Sequence, residues 1–463
     1  MKRYFILALI AFLILGGVAV WWGGLNQDEG WYLYAANLIA KGKMPYRDFF
    51  FTQGPVMPMV YSAFHGIWDA YGLLGARIFT LLIGALGIAV ASALAARLAP
   101  EGLRREASIV TFLLLGCNLY HLYYLTIPKT YALAMLLVMT GFLLMTAKGR
   151  AMALASGLAL AFAAGVRVSL APLAIVAWLA LDWRRKVFFA CGVVLGLMLA
   201  FGFLVDADAL HGFLAAQSYH SLREGGALVW KVGSLSRLVR WYLPVFILLG
   251  LGGFARARAL IWGFALVFLV QILAPFPYDD YQVPIMGLLA VFAAVNFVAQ
   301  DRRKGLLLTL GLVFATSFGS PLLEGWMTNG QDRFWSLRKD RSELAQLRAV
   351  AKSLNEIDPN GKNLLTQDLY LAIETGRSVP KGLEMGPFAM LTEEEWMVLL
   401  DSAPCELAAL SGYSFAIEPP ACHERPIEQQ IEFWQILKKR YALVSREENF
   451  GQNATTLLIM KRK

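Results

Sequence analysis

The sequence predicts an all-α polytopic membrane bundle of about 11 transmembrane helices followed by a C-terminal extracytoplasmic α/β domain. Three observations predict it. Of 463 residues, 58% are hydrophobic and only 16% are charged, against roughly a quarter charged in soluble domains, which excludes an ordinary cytosolic enzyme. Apolar runs recur through the first two thirds of the chain, many near the roughly 20 residues that span about 30 Å of hydrocarbon. The charge is also uneven: residues 1–320 hold 25 Lys and Arg against 13 Asp and Glu, whereas residues 321–463 hold 17 against 20. The chain therefore reads as a basic transmembrane domain over 1–320 and a near-neutral domain over 321–463, long enough for a small core of its own. A net charge of +9 need not signal nucleic acid, because membrane proteins collect Lys and Arg in cytoplasmic loops. Four cysteines are too few for a disulfide scaffold.

The eleven apolar runs fall at about 4–22, 73–96, 107–125, 130–147, 151–166, 168–181, 187–205, 239–254, 259–275, 283–299 and 305–320. The fifth and sixth are short and suit a tight hairpin around Gly165, Arg167 and Pro172. The first opens with Lys2 and Arg3 but shows no convincing small-residue cleavage site, so it reads as a retained helix rather than a signal peptide. With the N-terminus cytoplasmic, the inner loops carry Arg97, Arg104, Arg105, Lys148, Arg150, Arg184, Arg185, Lys186, Arg256, Arg258, Arg302, Arg303 and Lys304. Nine acids fall outside instead: Asp28, Glu29, Asp48, Asp69, Asp206, Asp208, Glu224, Asp279 and Asp280. This is the positive-inside pattern. An odd number of spans then puts the C-terminal domain outside.

In that domain, 341–356 and 426–440 read as helices, the second opening with Pro426 and closing in Lys438, Lys439 and Arg440. Residues 441–445 and 455–460 read as strands. An external compartment is oxidising, so Cys405 and Cys422 are expected to pair. Cys117 and Cys191 lie in spans and read as packing residues.

The most unusual segment is the amphipathic first external loop, 23–72. Its stretches 29–41 and 55–70 carry Trp31, Tyr32, Tyr34, Tyr61 and Trp68 and are expected to lie along the membrane surface, apolar side down. Gly42 closes the first stretch and Pro45 blocks its extension. Asp28 and Glu29 stand at its start. By position alone, Asp28 is equally a helix cap or a functional acid. Arg47 and Asp48 follow, then the polar turn Thr52, Gln53, Gly54 and Pro55. Acids held at the water–lipid boundary are costly unless used or paired.

An Asp-Glu pair directly after the first span, an aromatic interfacial helix, then Tyr46-Arg47-Asp48 and a Gly54-Pro55 step into a second such helix resemble the GT-C superfamily of polyprenyl-phosphate-sugar glycosyltransferases. Within it, the chain looks most like the bacterial relatives of protein O-mannosyltransferase and of the lipid A aminoarabinose transferase. The likeness continues at residues 128–133, at Gly165-Val166-Arg167 and at residues 278–284, and it covers the membrane block. The external segment 364–388 is similar to one in uncharacterised bacterial members. In one place the chain departs: family members commonly follow the second acid with His or Lys and Pro, whereas Asp48 is followed by Phe49, Phe50 and Phe51. The missing cation's work must fall to another residue or to a metal.

The resemblance implies an inverting glycosyltransferase in the bacterial inner membrane, moving sugar from a polyprenyl-phosphate donor to a glycan, lipid or protein acceptor on the outer side. An attacking hydroxyl needs a carboxylate base, and a departing phosphate needs a cation or metal. Asp28 matches the family's catalytic acid and is the expected base. Glu29 has a supporting, substrate-binding part, since adjacent helical residues point about 100° apart and both cannot aim at one hydroxyl. Asp48 is the second functional carboxylate, orienting the acceptor or, with Asp28, holding a divalent Mg or Mn; the alternative is a salt bridge to Arg47 or Lys43. Gln53 and Arg47 join the expected substrate-binding set. Lys129 is a phosphate ligand or a snorkelling lysine; Arg167 is a phosphate ligand or a buried partner of carbonyls or carboxylates inside the bundle. Tyr278, Asp280 and Tyr281, beside Asp279, contact the donor sugar or form a solvated turn. The loop 206–237, with Asp208, His211, His220, Arg223 and Glu224, is a loop over the site that supplies Arg223. His211 and His220, nine apart, have no metal-ligand spacing, and His65 and His121 read as interfacial packing residues. The rival reading, a transporter or flippase of lipid-linked sugars, lacks the internal repeats and mid-membrane charges such folds show.

Overall fold

The computed structural model describes residues 2–221, 228–274, 277–300, 302–327, 340–386, 389, 391, 393–402, 405–411, 431–452 and 454–463. Helix α1 (Lys2–Trp22) leads into two short helices, α2 (Gln27–Ala40) and α3 (Val56–Ser62). The bundle continues with α4 (Gly66–Leu98), α5 (Arg104–Gly116), α6 (Leu119–Thr126), α7 (Thr130–Met145), α8 (Arg150–Val166), α9 (Pro172–Ala180) and α10 (Trp183–Phe201). It closes with α11 (Ala207–Ser221), α12 (Leu228–Trp241), α13 (Leu243–Gly252), α14 (Arg258–Ile272), α15 (Val283–Val298) and α16 (Arg302–Met327).

Among the described residues, four helical stretches are long and apolar enough to cross a bilayer: Phe5–Trp22, Gly66–Leu98, Trp183–Val205 and Asp279–Val298. Two more units are bent pairs, α5 with α6 at 69° and α12 with α13 at 75°. Five shorter apolar helices complete the set: Thr130–Met145, Arg150–Val166, Val168–Ala180, Arg258–Ile272 and Leu306–Gly319. Each unit coincides with one apolar run of the sequence. The molecule is a largely helical membrane protein.

The bends have local causes. Asn118 interrupts α5–α6 and caps α6 by accepting the His121 amide at 3.1 Å. At the other break, Pro244 occupies the first turn of α13, where its missing N–H costs nothing. The two bends meet, for Asn118 Nδ2 donates to the Trp241 carbonyl at 2.8 Å. At the centre stands α15, buried along its whole length, as expected of a helix that is apolar on every side.

The C-terminal domain contains α17 (Glu343–Ile357), α18 (Leu369–Thr375), α19 (Glu393–Ser402), α20 (Ile431–Arg440) and four strands, β1 (Leu364–Leu365), β2 (Leu407–Ser411), β3 (Tyr441–Phe450) and β4 (Thr455–Arg462). The sheet order is β1-β2-β4-β3, with β1 and β2 parallel and the other pairs antiparallel. Strand β2 is wholly buried, whereas β3 is an edge strand exposed along most of its length. The helix expected at 341–356 and the strands at 441–445 and 455–460 are present; the start of the 426–440 helix lies outside the described residues.

Two expectations change. The domain's apolar core is continuous with that of the bundle rather than separate. And α2 does not lie half-exposed on a membrane surface: Trp31, Tyr32, Leu33, Tyr34, Ala35 and Ala36 are all buried. The reason is α18, which packs against α2 so closely that a Cβ at Gly30 would sit 2.0 Å from the Tyr370 amide nitrogen. The second stretch becomes α3 and the first turns of α4, which kinks at Gly72 (φ 63).

Candidate functional site

Asp28 does not cap α2. Asn26 occupies the cap position, its side chain accepting the Asp28 amide at 3.1 Å, while Glu29 Oε1 accepts the Asn26 amide at 2.9 Å. This reciprocal capping box meets the first free amides of the helix. The Asp28 carboxylate is left to form an ion pair with Lys129 Nζ at 2.7 Å, and it retains 23% side-chain exposure.

Lys129 owes its place to a break in the chain. Pro128 disfavours helical backbone in the residue before it, and Lys129 itself is extended (φ −126°, ψ −177°) between α6 and α7. Its buried ammonium lies between two carboxylates, Asp28 and Asp280, the latter at 3.3 Å. Asp280 comes from the short 3₁₀ turn Asp279–Gln282 that opens α15, and it also accepts the Tyr131 hydroxyl at 2.7 Å.

Arg167 completes the cluster. Like Lys129 it is extended, at the C-cap of α8 (φ −143°, ψ 112°). Its guanidinium lies over the rings of Tyr131 and Tyr281, 5.1 and 4.8 Å from their centroids, and donates to Thr130 Oγ1 at 3.0 Å. The side chain is buried, yet no carboxylate touches it among the described residues, and its Nε has no partner there. A buried cation with so few of its five donors used is costly unless an anion comes to it. Tyr32, on α2 beside Asp28, has its phenol pushed above the usual range, first by burial and then by the Asp28 charge.

Next to this cluster, Asp279 takes the Tyr120 hydroxyl and Arg237 Nε, the latter at 3.1 Å. Tyr120 stacks on Trp241 at 4.9 Å, and His121 Nδ1 meets the Tyr242 hydroxyl at 2.7 Å. The meeting of the two helix bends therefore carries a second polar network. His121 belongs to that packing, and His65 pairs with Asp69 at 3.7 Å.

The structure thus brings Asp28, Lys129, Arg167, Asp280 and Tyr281 together. Others named from the sequence go elsewhere. Glu29 is fully buried in a double contact with Arg77, Nε to Oε2 at 2.7 Å and Nη2 to Oε1 at 2.6 Å, so it holds the fold rather than a substrate. Asp48 is gripped by Arg47 through Nε and Nη2 at 3.0 and 3.1 Å, and Arg47 also reaches Asp206 at 3.4 Å. Those Arg47 bonds and the Met44 amide lower the Asp48 carboxyl to about 2. This is the salt-bridge alternative for Asp48, at the start of α11, which Asp206 caps. Gln53 accepts the Tyr46 hydroxyl through its carbonyl at 2.5 Å. Its turn is pinned to the Arg167 hairpin, because a Cβ at Gly54 would lie 2.1 Å from the Gly165 carbonyl oxygen. Tyr278 is partly exposed and packs on Tyr281 and Trp230. Arg223 lies outside the described residues. Cys405 is buried just before β2, and its expected partner Cys422 lies outside the described residues.

A divalent metal does not fit these residues. Asp28 is engaged by Lys129 and Asp48 by Arg47, and among the described residues no three His, Cys, Asp or Glu side chains converge. Sequence reasoning missed Arg77, and gave Thr130 and Tyr131, which lie within the 128–133 motif, no role of their own. The signal for Arg77 was present, since a lone charge within the apolar run 73–96 has to be paired.

No protein-family model matches the sequence, and no curated protein matches it. Among solved structures, ArnT from Cupriavidus metallidurans bound to undecaprenyl phosphate matches 99% of this chain and 98% of its own, with a TM-score of 0.63 at 14% identity. The chain therefore has a GT-C-like fold. Two crystal structures of the Archaeoglobus fulgidus oligosaccharyltransferase, one with Zn and sulfate and one tethered to an acceptor peptide, match 87% of this chain and 68% of theirs. Their TM-scores are 0.43 and 0.45 at 10% and 9% identity.

Proposed function

We propose that the chain is an integral membrane glycosyltransferase that moves a sugar from a polyprenyl-phosphate donor to an envelope glycan, lipid or protein acceptor. The observation that carries the reading is Arg167, a buried guanidinium without a carboxylate partner among the described residues, one residue-pair away from Lys129 through Thr130. Two buried cations beside a partly exposed carboxylate suit an anionic donor and a proton acceptor in one place. The GT-C-like fold, shared with a protein bound to undecaprenyl phosphate, supports the same donor class.

In the proposed reaction, the acceptor hydroxyl attacks the anomeric carbon while the bond from that carbon to the phosphate oxygen breaks. Its proton passes to the Asp28 carboxylate. The polyprenyl phosphate leaves with one more negative charge, which Lys129 and Arg167 stabilise. Attack opposite the leaving group inverts the anomeric centre. Asp280 and Tyr131 hold Lys129 in place through the contacts already described, and Tyr281 flanks Arg167. The basic loops support a site on the outer side of a bacterial inner membrane, with the N-terminus cytoplasmic. Asp48 is left out of the chemical step.

The test uses the full chain in nanodiscs with a panel of undecaprenyl-phosphate-linked sugars. Wild type releases undecaprenyl phosphate from at least one of them. Arg167→Met binds undecaprenyl phosphate roughly 10–100-fold more weakly, the worth of losing about one charged hydrogen bond. Binding as tight as in wild type would contradict the assignment of Arg167.

A further inference from the structure

Three consecutive residues of α2 point to three different bodies. Gln27 reaches the C-terminal domain, its Nε2 donating to Asp368 Oδ1 at 2.9 Å and to the Tyr370 hydroxyl at 3.2 Å. Asp28 reaches Lys129, and Glu29 reaches Arg77 on α4. Successive helical side chains point about 100° apart, so the three contacts encircle the helix and determine its rotation.

The C-terminal domain contributes heavily to this end of the helix. Glu343 at the start of α17 accepts the Leu25 amide at 2.7 Å. Gln452 in the β3–β4 turn accepts the Gln27 amide at 2.8 Å. Asp368 and Tyr370, joined by their own hydrogen bond at 3.0 Å, grip the Gln27 side chain. Gly30 lets Tyr370 come flush against the helix, and Glu374 accepts the Leu73 amide at 2.7 Å, beside the kink of the helix that carries Arg77. Contacts from well-separated parts of the domain thus converge on residues 25–30, the segment that contains Asp28. Buried, mutually bonded polar groups of this kind fix one arrangement.

We infer that Asp368 and Tyr370 are positioning residues for Asp28, acting through Gln27 and through the seat at Gly30. The inference rests on the proposed role of Asp28. A rotation of α2 by about 20°, with side-chain tips about 5–6 Å from the axis, moves the carboxylate by roughly 2 Å. Misplacement of even about 1 Å costs a reaction up to roughly 100-fold. The domain is therefore part of the machinery of transfer rather than an appendage.

Gln27→Leu, Asp368→Leu and Asp368→Asn, each in the full chain in nanodiscs, test this. The readouts are thermal stability, affinity for undecaprenyl phosphate, and kcat on whichever undecaprenyl-phosphate sugar wild type uses. Both leucine variants lower kcat of the folded protein roughly tenfold, with affinity within about twofold of wild type, because among the described residues the hydrogen bonds and ion pairs of Lys129 and Arg167 all lie within the bundle. Asp368→Asn keeps an acceptor oxygen and restores most of kcat. A kcat within about twofold of wild type in both leucine variants overturns the inference, as does an affinity loss as large as the kcat loss. Should wild type use no sugar of the panel, the proposed function fails by itself, and hydrogen exchange decides the inference. Amides 26–31 then exchange at least about tenfold faster in Asp368→Leu while α7 is unchanged; equal exchange overturns it.

Discussion

Asp28 and Glu29 are neighbours in sequence with opposite surroundings. Glu29 is enclosed: its two oxygens take Arg77 and the Asn26 amide, and Arg77 spends its remaining donors on the carbonyls of Val20, Gly23 and Gly24. Every polar atom of that pair is met inside the protein, so nothing is left for a ligand. Asp28 is engaged by one ammonium, keeps an open side, and its partner Lys129 is shared with Asp280. A carboxylate whose bonding is complete builds the fold, and one whose bonding is incomplete is free for chemistry. Charge alone does not separate them; their partners do.

The comparison predicts different losses at the two acids. The largest falls on the enclosed pair. Removing one member leaves the other as an uncompensated buried charge, which costs about 3–5 kcal/mol. Arg77→Met should therefore sharply lower the thermal midpoint in nanodiscs and the yield of folded protein. A midpoint close to that of wild type would show the pair is not architectural.

On the open side, Lys129→Met should weaken undecaprenyl phosphate binding roughly 10–100-fold, about 1.5–3 kcal/mol. Equilibrium binding in nanodiscs measures it, and unaltered affinity would remove Lys129 from the phosphate site.

The smallest effect sharpens the contrast with the third acid. Asp48 is lowered to about 2 by Arg47 and the Met44 amide, from an ordinary value near ~4. A depressed carboxyl gives stability that is complete above the ordinary value and lost as pH falls through the folded one. Amides around Met44 and Asp48 should begin to exchange faster between about pH 4 and pH 2, and Asp48→Asn should abolish that acid dependence. A loop indifferent to pH in both proteins would mean the Arg47 pair is not formed.

The apolar helices were legible because apolar length is a local property of the sequence. The break between α6 and α7 was marked by Pro128, although the bends at Asn118 and Pro244 were hidden inside apolar runs. Each member of the site was also visible as a polar residue at a span end. Their convergence was not, since Asp28, Lys129 and Asp280 are separated by about a hundred residues or more and no periodicity links them. The enclosure of α2 was equally hidden, because its cover comes from Tyr370, some 340 residues later. The partner of Glu29 was hidden for the same reason: Arg77 lies on another helix, and a charge in an apolar run was not matched to it.

The central claim is that Asp28 accepts the proton of the attacking hydroxyl, and Asp28→Asn tests it most directly. Asn matches Asp in size but is not basic. In nanodiscs with the undecaprenyl-phosphate sugar that wild type uses, the variant should keep the thermal midpoint and bind undecaprenyl phosphate at least as well as wild type. Its turnover should fall by roughly 10²–10⁴-fold, the usual contribution of a positioned acid–base group. Turnover equal to wild type, with the fold and binding intact, would contradict the account.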